Sequence, residues 1–262
     1  MLQLKKSIRL ESLRLPFKSG LLAAHEMGAD AIEINGRTEL HPQEMTRTAV
    51  RHLRKILTDL NLKVSAIFFP TRRGLAITDE LDRRLDALKA AMKMAYELGT
   101  NQVITKIGRI PTDTQSEAWS NLNQALTDLG NHSQKSGAWM VARTDNYTGD
   151  ALKGLIESLP ANALSVDFDP ADFVINGYSA EDAIKKLGPH VKSFRARDAV
   201  TDLSQGRGVE VQLGRGSVDW SSLLGTLEEH HYDGYLTIER DSDENAVQQC
   251  SQAIEFLTNL FQ

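Results

Sequence analysis

Short runs of β-branched, aliphatic and aromatic residues return along this chain at a nearly regular interval, and an amphipathic segment follows each. The runs are SIRLESLRL (7–15), DAIEIN (30–35), LKVSAIFF (62–69), NQVITKI (101–107), AWMVAR (138–143), ALSVDFD (163–169), HVKSFRA (190–196) and GYLTIE (234–239). Each reads as a buried strand. The segments between them carry helix boundaries. PFKSGLLAAHEMG starts with proline and ends at Gly28, and TDELDRRLDALKAAMKMAYELG has Asp79 and Glu80 in its first turn and ends at Gly99. SAEDAIKKLG opens on a Ser179 cap and closes at Gly188. Eight strand-helix units, spaced by roughly 30 residues, fit a closed parallel α/β barrel of the (β/α)8 or TIM type. The competing arrangement is an open doubly wound sheet. No Pro/Gly/Ser-rich linker or shift of composition divides the chain, so residues 1–262 are expected to form a single domain.

Composition narrows the functional classes. The 41% hydrophobic and 25% charged fractions are those of a globular protein and exclude disordered or collagen-like structure. A net charge of −5, with both signs interspersed, speaks against a nucleic-acid partner or an anionic membrane surface. Cys250 is the single cysteine, which rules out an intrachain disulfide and a cysteine-based zinc site. The opening MLQLKKSIRL has no apolar stretch after its lysines, and runs such as AIFF are too short to span a bilayer. A cytoplasmic protein is expected.

In such a barrel the C-terminal strand ends and the loops after them build the active site. Those positions hold Glu33, then Arg72 and Arg73, then Lys106 and Arg109, then Arg143 and Asp145. Asp169 and Asp172 follow the sixth strand, Arg195, Arg197 and Asp198 the seventh, and Glu239 ends the eighth. In VKSFRARDAV the alternation of a strand gives Arg195 and Arg197 one face. Arg143, Asp169, Arg195 and Glu239 each terminate an apolar strand, and buried charges of opposite sign must pair. Of the seven histidines, His41 alone lies in a loop that reaches this face. The longest interruption, 198–217, contains GRG at 206–208 and 214–216 around VEVQL. It reads as a glycine-turned hairpin or a backbone anion cradle, with Ser217 a candidate cap for the helix that follows.

The order of motifs resembles the xylose isomerase-like barrels, the sugar isomerase and epimerase superfamily. GADAIEIN is similar to that family's second strand, VDFDPADF to its sixth, SFRARDA to its seventh, LGRGSVDW to the entry of its seventh helix and YLTIER to its eighth strand. The resemblance implies a divalent metal held by a glutamate ending strand five, an aspartate ending strand six, a histidine in strand seven and a glutamate ending strand eight. Asp169 and Glu239 match two of those positions, whereas Arg143 and Arg195 stand at the others. Arginine stays protonated and offers no lone pair, so the expectation is no bound metal and no cofactor.

Two functions follow as expectations. The first is a metal-independent isomerase or epimerase acting on, or binding, a small anionic sugar or polyol. Glu239, Asp169 and Lys106 are then its catalytic candidates, and Glu33, Arg143, Arg195, Arg197 and Arg72 its substrate-binding residues. The second is a non-catalytic barrel that binds a small anionic ligand or a protein partner. The sequence leaves open whether the chain forms a homo-oligomer.

Overall fold

The computed structural model describes residues 5–202, 207–241 and 245–260. Its parallel strands are β1 (Lys5–Arg9), β2 (Ala31–Asn35), β3 (Lys63–Phe68), β4 (Gln102–Thr105), β5 (Trp139–Arg143), β6 (Ser165–Phe168), β7 (Val191–Ala196) and β10 (Tyr235–Ile238). They pair in that order, and β10 closes back on β1 through Ser7 opposite Thr237 and Ile8 opposite Ile238. The two remaining strands, β8 (Asp198–Val200) and β9 (Val209–Val211), form an antiparallel ribbon beyond the end of β7. The helices are α1 (Phe17–Glu26), α2 (Arg47–Asp59), α3 (Leu81–Glu97), α4 (Glu117–Ser136), α5 (Gly149–Glu157), α6 (Pro170–Ile175), α7 (Ala180–Leu187), α8 (Trp220–Glu229) and α9 (Ala246–Asn259).

Every expected strand is present with its ends trimmed, and the first is corrected. It stops at Arg9, and Leu10–Leu13 is a 3-10 turn closed by Arg14 at φ 54°. Leu10 and Leu13 are both buried, and a spacing of three suits a 3-10 turn rather than the alternation of a strand. The expected start of α3 also moves. Asp79 and Glu80 lie before the helix rather than in it, because Glu80 turns into the left-handed region at φ 52° and so breaks the helical path, while the Arg84 guanidinium takes the carbonyls of Ile77 and Asp79. Ser179 caps α7 as expected, accepting from the Asp182 N–H at 3.0 Å.

The main core lies between strands and helices, with Ile8, Ile32, Val103, Phe168 and Phe194 facing Leu21, Leu88, Leu126 and Leu223. Inside the barrel the lining is split. Ala66, Phe68, Ile104 and Val141 make an apolar cluster on the β3–β5 side. The side built by β1, β2, β6, β7 and β10 holds Ser7, Glu33, Asp167, Arg195, Thr237 and Glu239, all buried. Ser7 and Ser65 close the floor with a hydroxyl contact of 2.7 Å.

The long loop after β7 is organised by one carboxylate. Asp198 accepts from the backbone N–H groups of Ala199 at 2.9 Å, Gly214 and Gly216 at 3.0 Å and Val218 at 3.2 Å, and from the Trp220 indole at 3.3 Å. The anion cradle read from the second GRG is therefore real, and its anion is the chain's own Asp198. A Cβ on Gly216 would lie 1.9 Å from Asp198 Oδ1, so this position excludes any side chain. The hairpin differs from the expectation: 209–211 pairs with 198–200, and Gly206 lies outside the described residues. Asp219, not Ser217, caps α8, accepting from Ser222 N–H at 3.0 Å.

Candidate active site

At the C-terminal ends of the strands a guanidinium lies between two carboxylates. Arg143, the last residue of β5, donates from Nη1 to both oxygens of Glu239 at 2.9 and 2.7 Å, and from Nη2 to Asp169 Oδ2 at 2.7 Å. Asp169 directly follows β6 and caps α6, its Oδ1 accepting from Ala171 N–H at 3.0 Å and Asp172 N–H at 3.4 Å. The short helix thus fixes the carboxylate that fixes the arginine. Burial alone would lower the Arg143 pKa, but Glu239, Asp172 and Asp169 outweigh it and hold the cation firmly charged.

One layer deeper, Arg195 is completely enclosed. Its Nε donates to Asp167 on the neighbouring β6 at 2.8 Å, and Nη1 and Nη2 reach the two Glu33 oxygens at 2.9 and 2.7 Å. Nη1 also lies 3.0 Å from Glu239 Oε2. Two residues further along the same strand face, Arg197 bridges Asp169 at 2.6 Å, Asp172 at 3.2 Å, Glu210 at 3.3 Å and Asp241 at 2.7 Å. The two arginines that share a face of β7 therefore serve successive levels of one ionic lattice.

The lattice is completed from β1. Arg9 donates to Glu239 Oε1 at 2.8 Å and to Glu11 at 2.7 Å, and its guanidinium stacks on Phe68 with 4.1 Å to the ring centroid. This cation joins the ionic and apolar halves of the barrel lining. Burial would raise the Glu239 pKa, but Arg143, Arg9, Arg195 and Arg197 hold it well below the usual carboxylate range. Asp172 differs. Burial, reinforced by the Asp169 charge, pushes it up to about 7, and its Oδ2 is buried without a hydrogen bond among the described residues, 3.5 Å from Arg143 Nε. Across β2, burial likewise pushes Glu39 up to about 7.

Of the residues expected at the site, Glu33, Arg143, Asp169, Arg195, Arg197 and Glu239 come together. Lys106 and Arg72 do not join them: Lys106 is half-exposed and 3.7 Å from Asp145, and Arg72 is exposed on the loop after β3. Sequence reading missed Arg9, because the first strand was drawn past it to residue 15. It also missed Asp167, which the alternation of β6 places on the same face as Asp169, as it does for Arg195 and Arg197. Glu39 and Glu210 carry no comparable signal, since both are loop or ribbon residues brought in by tertiary packing.

The donors do not fit the divalent ion that the family resemblance implies. A cation needs several converging lone pairs, and here both Asp169 oxygens and both Glu239 oxygens are directed at N–H groups. Among the described residues no group of three or more His, Cys, Asp or Glu side chains is arranged to hold a metal.

The comparisons with known proteins agree with the barrel. Residues 21–260 match the family model described as xylose isomerase-like TIM barrel. The chain is 24% identical over 144 residues to an inosose dehydratase of Clostridium perfringens, a match covering 48% of each protein, so it spans about half the length of that relative. It is 23% identical over 233 residues to an inosose dehydratase of Clostridium botulinum, covering 79% of this chain and 78% of the other. Among solved structures, a xylose isomerase domain protein from Planctomyces limnophilus superposes with a TM-score of 0.84 at 25% identity, covering 99% and 97% of the two chains. A D-psicose 3-epimerase solved with D-fructose gives 0.76 at 15% identity, covering 97% and 98%, which shows the shared fold. With the closed eight-stranded barrel, its ionic strand ends and a family match spanning nearly the whole sequence, the chain belongs to the xylose isomerase-like TIM barrel family.

Proposed function

We propose that this protein is a metal-independent enzyme that removes a proton next to the carbonyl of a small sugar or polyol derivative. The observation that carries this reading is the Arg143 guanidinium held between Asp169 and Glu239, a positive charge built into the strand ends. Epimerisation, isomerisation and dehydration of hydroxy-carbonyl compounds share one first step. A base takes the proton on the carbon beside the carbonyl, and the electron pair moves onto the carbonyl oxygen as an enediolate. Fixed cations lower the energy of that oxygen. The relatives named as dehydratases and the neighbour named as an epimerase carry out reactions of this type, which supports the assignment.

The roles follow from the remaining valences. Glu239 is a counter-ion rather than the base, since four arginines hold its proton affinity down. Asp169 has both oxygens committed. Asp172 is the base: burial and the Asp169 charge push its pKa up to about 7, and it sits beside Arg143. Arg9 is the electrophile, because its Nε makes no hydrogen bond to a described residue and its contacts with Glu239 and Phe68 fix its plane.

The test is solvent deuterium exchange. Ketoses, aldoses and inososes incubated with the protein in heavy water are followed by proton NMR at the carbon next to the carbonyl. Exchange is expected with excess chelator present, rising as pH rises through about 7 because Asp172 must be ionised to accept the proton, and absent in Asp172→Asn. A second reading, a non-catalytic barrel, draws on Arg195 and Glu239 being almost wholly buried. Binding of such compounds without exchange at any pH would favour it and sink the enzymatic one.

A further inference from the structure

Every buried arginine in the barrel centre has a carboxylate partner, but a second group of arginines does not. A groove of about 1160 Å³ opens beside the barrel mouth between the loops after β2 and β3 and the start of α3. Five arginines and three carboxylates line it. Two of the five are already neutralised, Arg73 by Asp79 and Arg83 by Glu80. Arg37, Arg72 and Arg84 form no ion pair with a described carboxylate. Arg37 is nonetheless fixed, donating from Nε to the Pro70 carbonyl at 2.7 Å and stacking on Phe69 at 4.2 Å. Arg84 is 9% exposed, held by the carbonyls of Ile77 and Asp79, and its Nε is buried without a hydrogen-bond partner among the described residues.

Cations gathered in one groove repel one another, and Arg37 feels it: burial first, then the neighbouring Arg72 and Arg83, pull its pKa below the usual guanidinium value. The barrel pairs its buried arginines with described carboxylates, whereas these three guanidinium groups, one buried, one partly buried and one exposed, are left without one among the described residues. The three guanidinium groups come from three separate segments, so they approach from different directions. A tetrahedral dianion accepts from several directions, whereas a carboxylate has one plane. The groove's volume, at or slightly above the upper end of small-molecule sites, has room for far more than inorganic phosphate alone.

We propose that this groove binds the phosphate of a phosphorylated sugar or polyol, with Arg37, Arg72 and Arg84 as its donors. The polyol portion rests on the enzymatic reading above, and the phosphate portion does not. Titration calorimetry with sorbitol 6-phosphate, sorbitol and inorganic phosphate tests it. The phosphorylated polyol is expected to bind at least about tenfold more tightly than sorbitol, and inorganic phosphate to compete with it. Arg37→Gln and Arg72→Gln should each weaken the phosphorylated ligand about tenfold and leave sorbitol unaffected, and Arg72→Gln, whose side chain is exposed, should also leave the melting temperature in place. Asp172→Asn, which removes exchange, should retain the phosphate affinity. If either loop substitution leaves that affinity unchanged, or if phosphorylated and neutral polyols bind alike, the phosphate site is wrong even where exchange succeeds. Phosphate binding with no exchange in any substrate would instead remove only the enzymatic reading.

Discussion

Arg143 shows how much a single side chain decides here. It touches two carboxylates that end different strands, and Glu239 keeps Arg9 and Arg195 while Asp169 keeps Arg197 when it is removed. Arg143→Met should therefore cost about 3 kcal/mol rather than unfold the protein, measured by urea denaturation at neutral pH. The sign of its pH dependence follows from Glu239. A carboxylate whose folded pKa is depressed adds stability above its unfolded value and loses it as pH falls through the folded one. The gap between parent and variant should therefore narrow as pH is lowered below about 4.5. Much of this cluster was legible, because charges that end apolar strands of a barrel have few other places to go. What was not legible is which carboxylate keeps its proton. Asp169 and Asp172 stand three residues apart in DFDPAD, and only their packing makes one a clamp and the other a group that titrates near neutrality.

Elements were read more reliably than their ends. Alternation and helix boundaries located the barrel strands, since a parallel strand buried on both sides has a continuous apolar signature. A hairpin was expected in the loop after β7, but one strand of the β8–β9 ribbon, 198–200, was not read, because the segments have three residues each. Its order comes from Asp198, which satisfies four backbone N–H groups and the Trp220 indole at once. Asp198→Ala leaves those donors orphaned, and each buried one costs about 1–3 kcal/mol where water cannot replace the acceptor. The expected outcome is a loss of about 3–5 kcal/mol overall. Hydrogen exchange should accelerate first at residues 209–218 and leave β4 and β5 protected. Uniform acceleration across the barrel would show that the ribbon is not a separate unit.

At the scale of the whole molecule, positive charge at the strand ends is supplied by the chain itself. Melting temperatures measured with excess chelator, and with millimolar magnesium, manganese or zinc, are expected to coincide, because a ligand stabilises only a state that binds it. A shift of several degrees with any one ion would mean that the arginines yield to it. No helix among the described residues is long and apolar enough to cross a membrane. The ionic lattice also bears on the order of assembly in time. Glu33 and Arg195 are 162 positions apart and Arg9 and Glu239 are 230 apart, yet each pair is joined at the barrel's centre. A partly wound sheet ending before β7 carries Glu33 with only the 4.0 Å contact to Arg9 Nε, and one lacking β1 and β2 leaves Arg195 without its Glu33 partner. Contacts of such long sequence separation form late and slowly. The chain therefore has little reason to pause as half a barrel, and two fragments cut between β4 and β5 should gain structure on mixing that neither has alone.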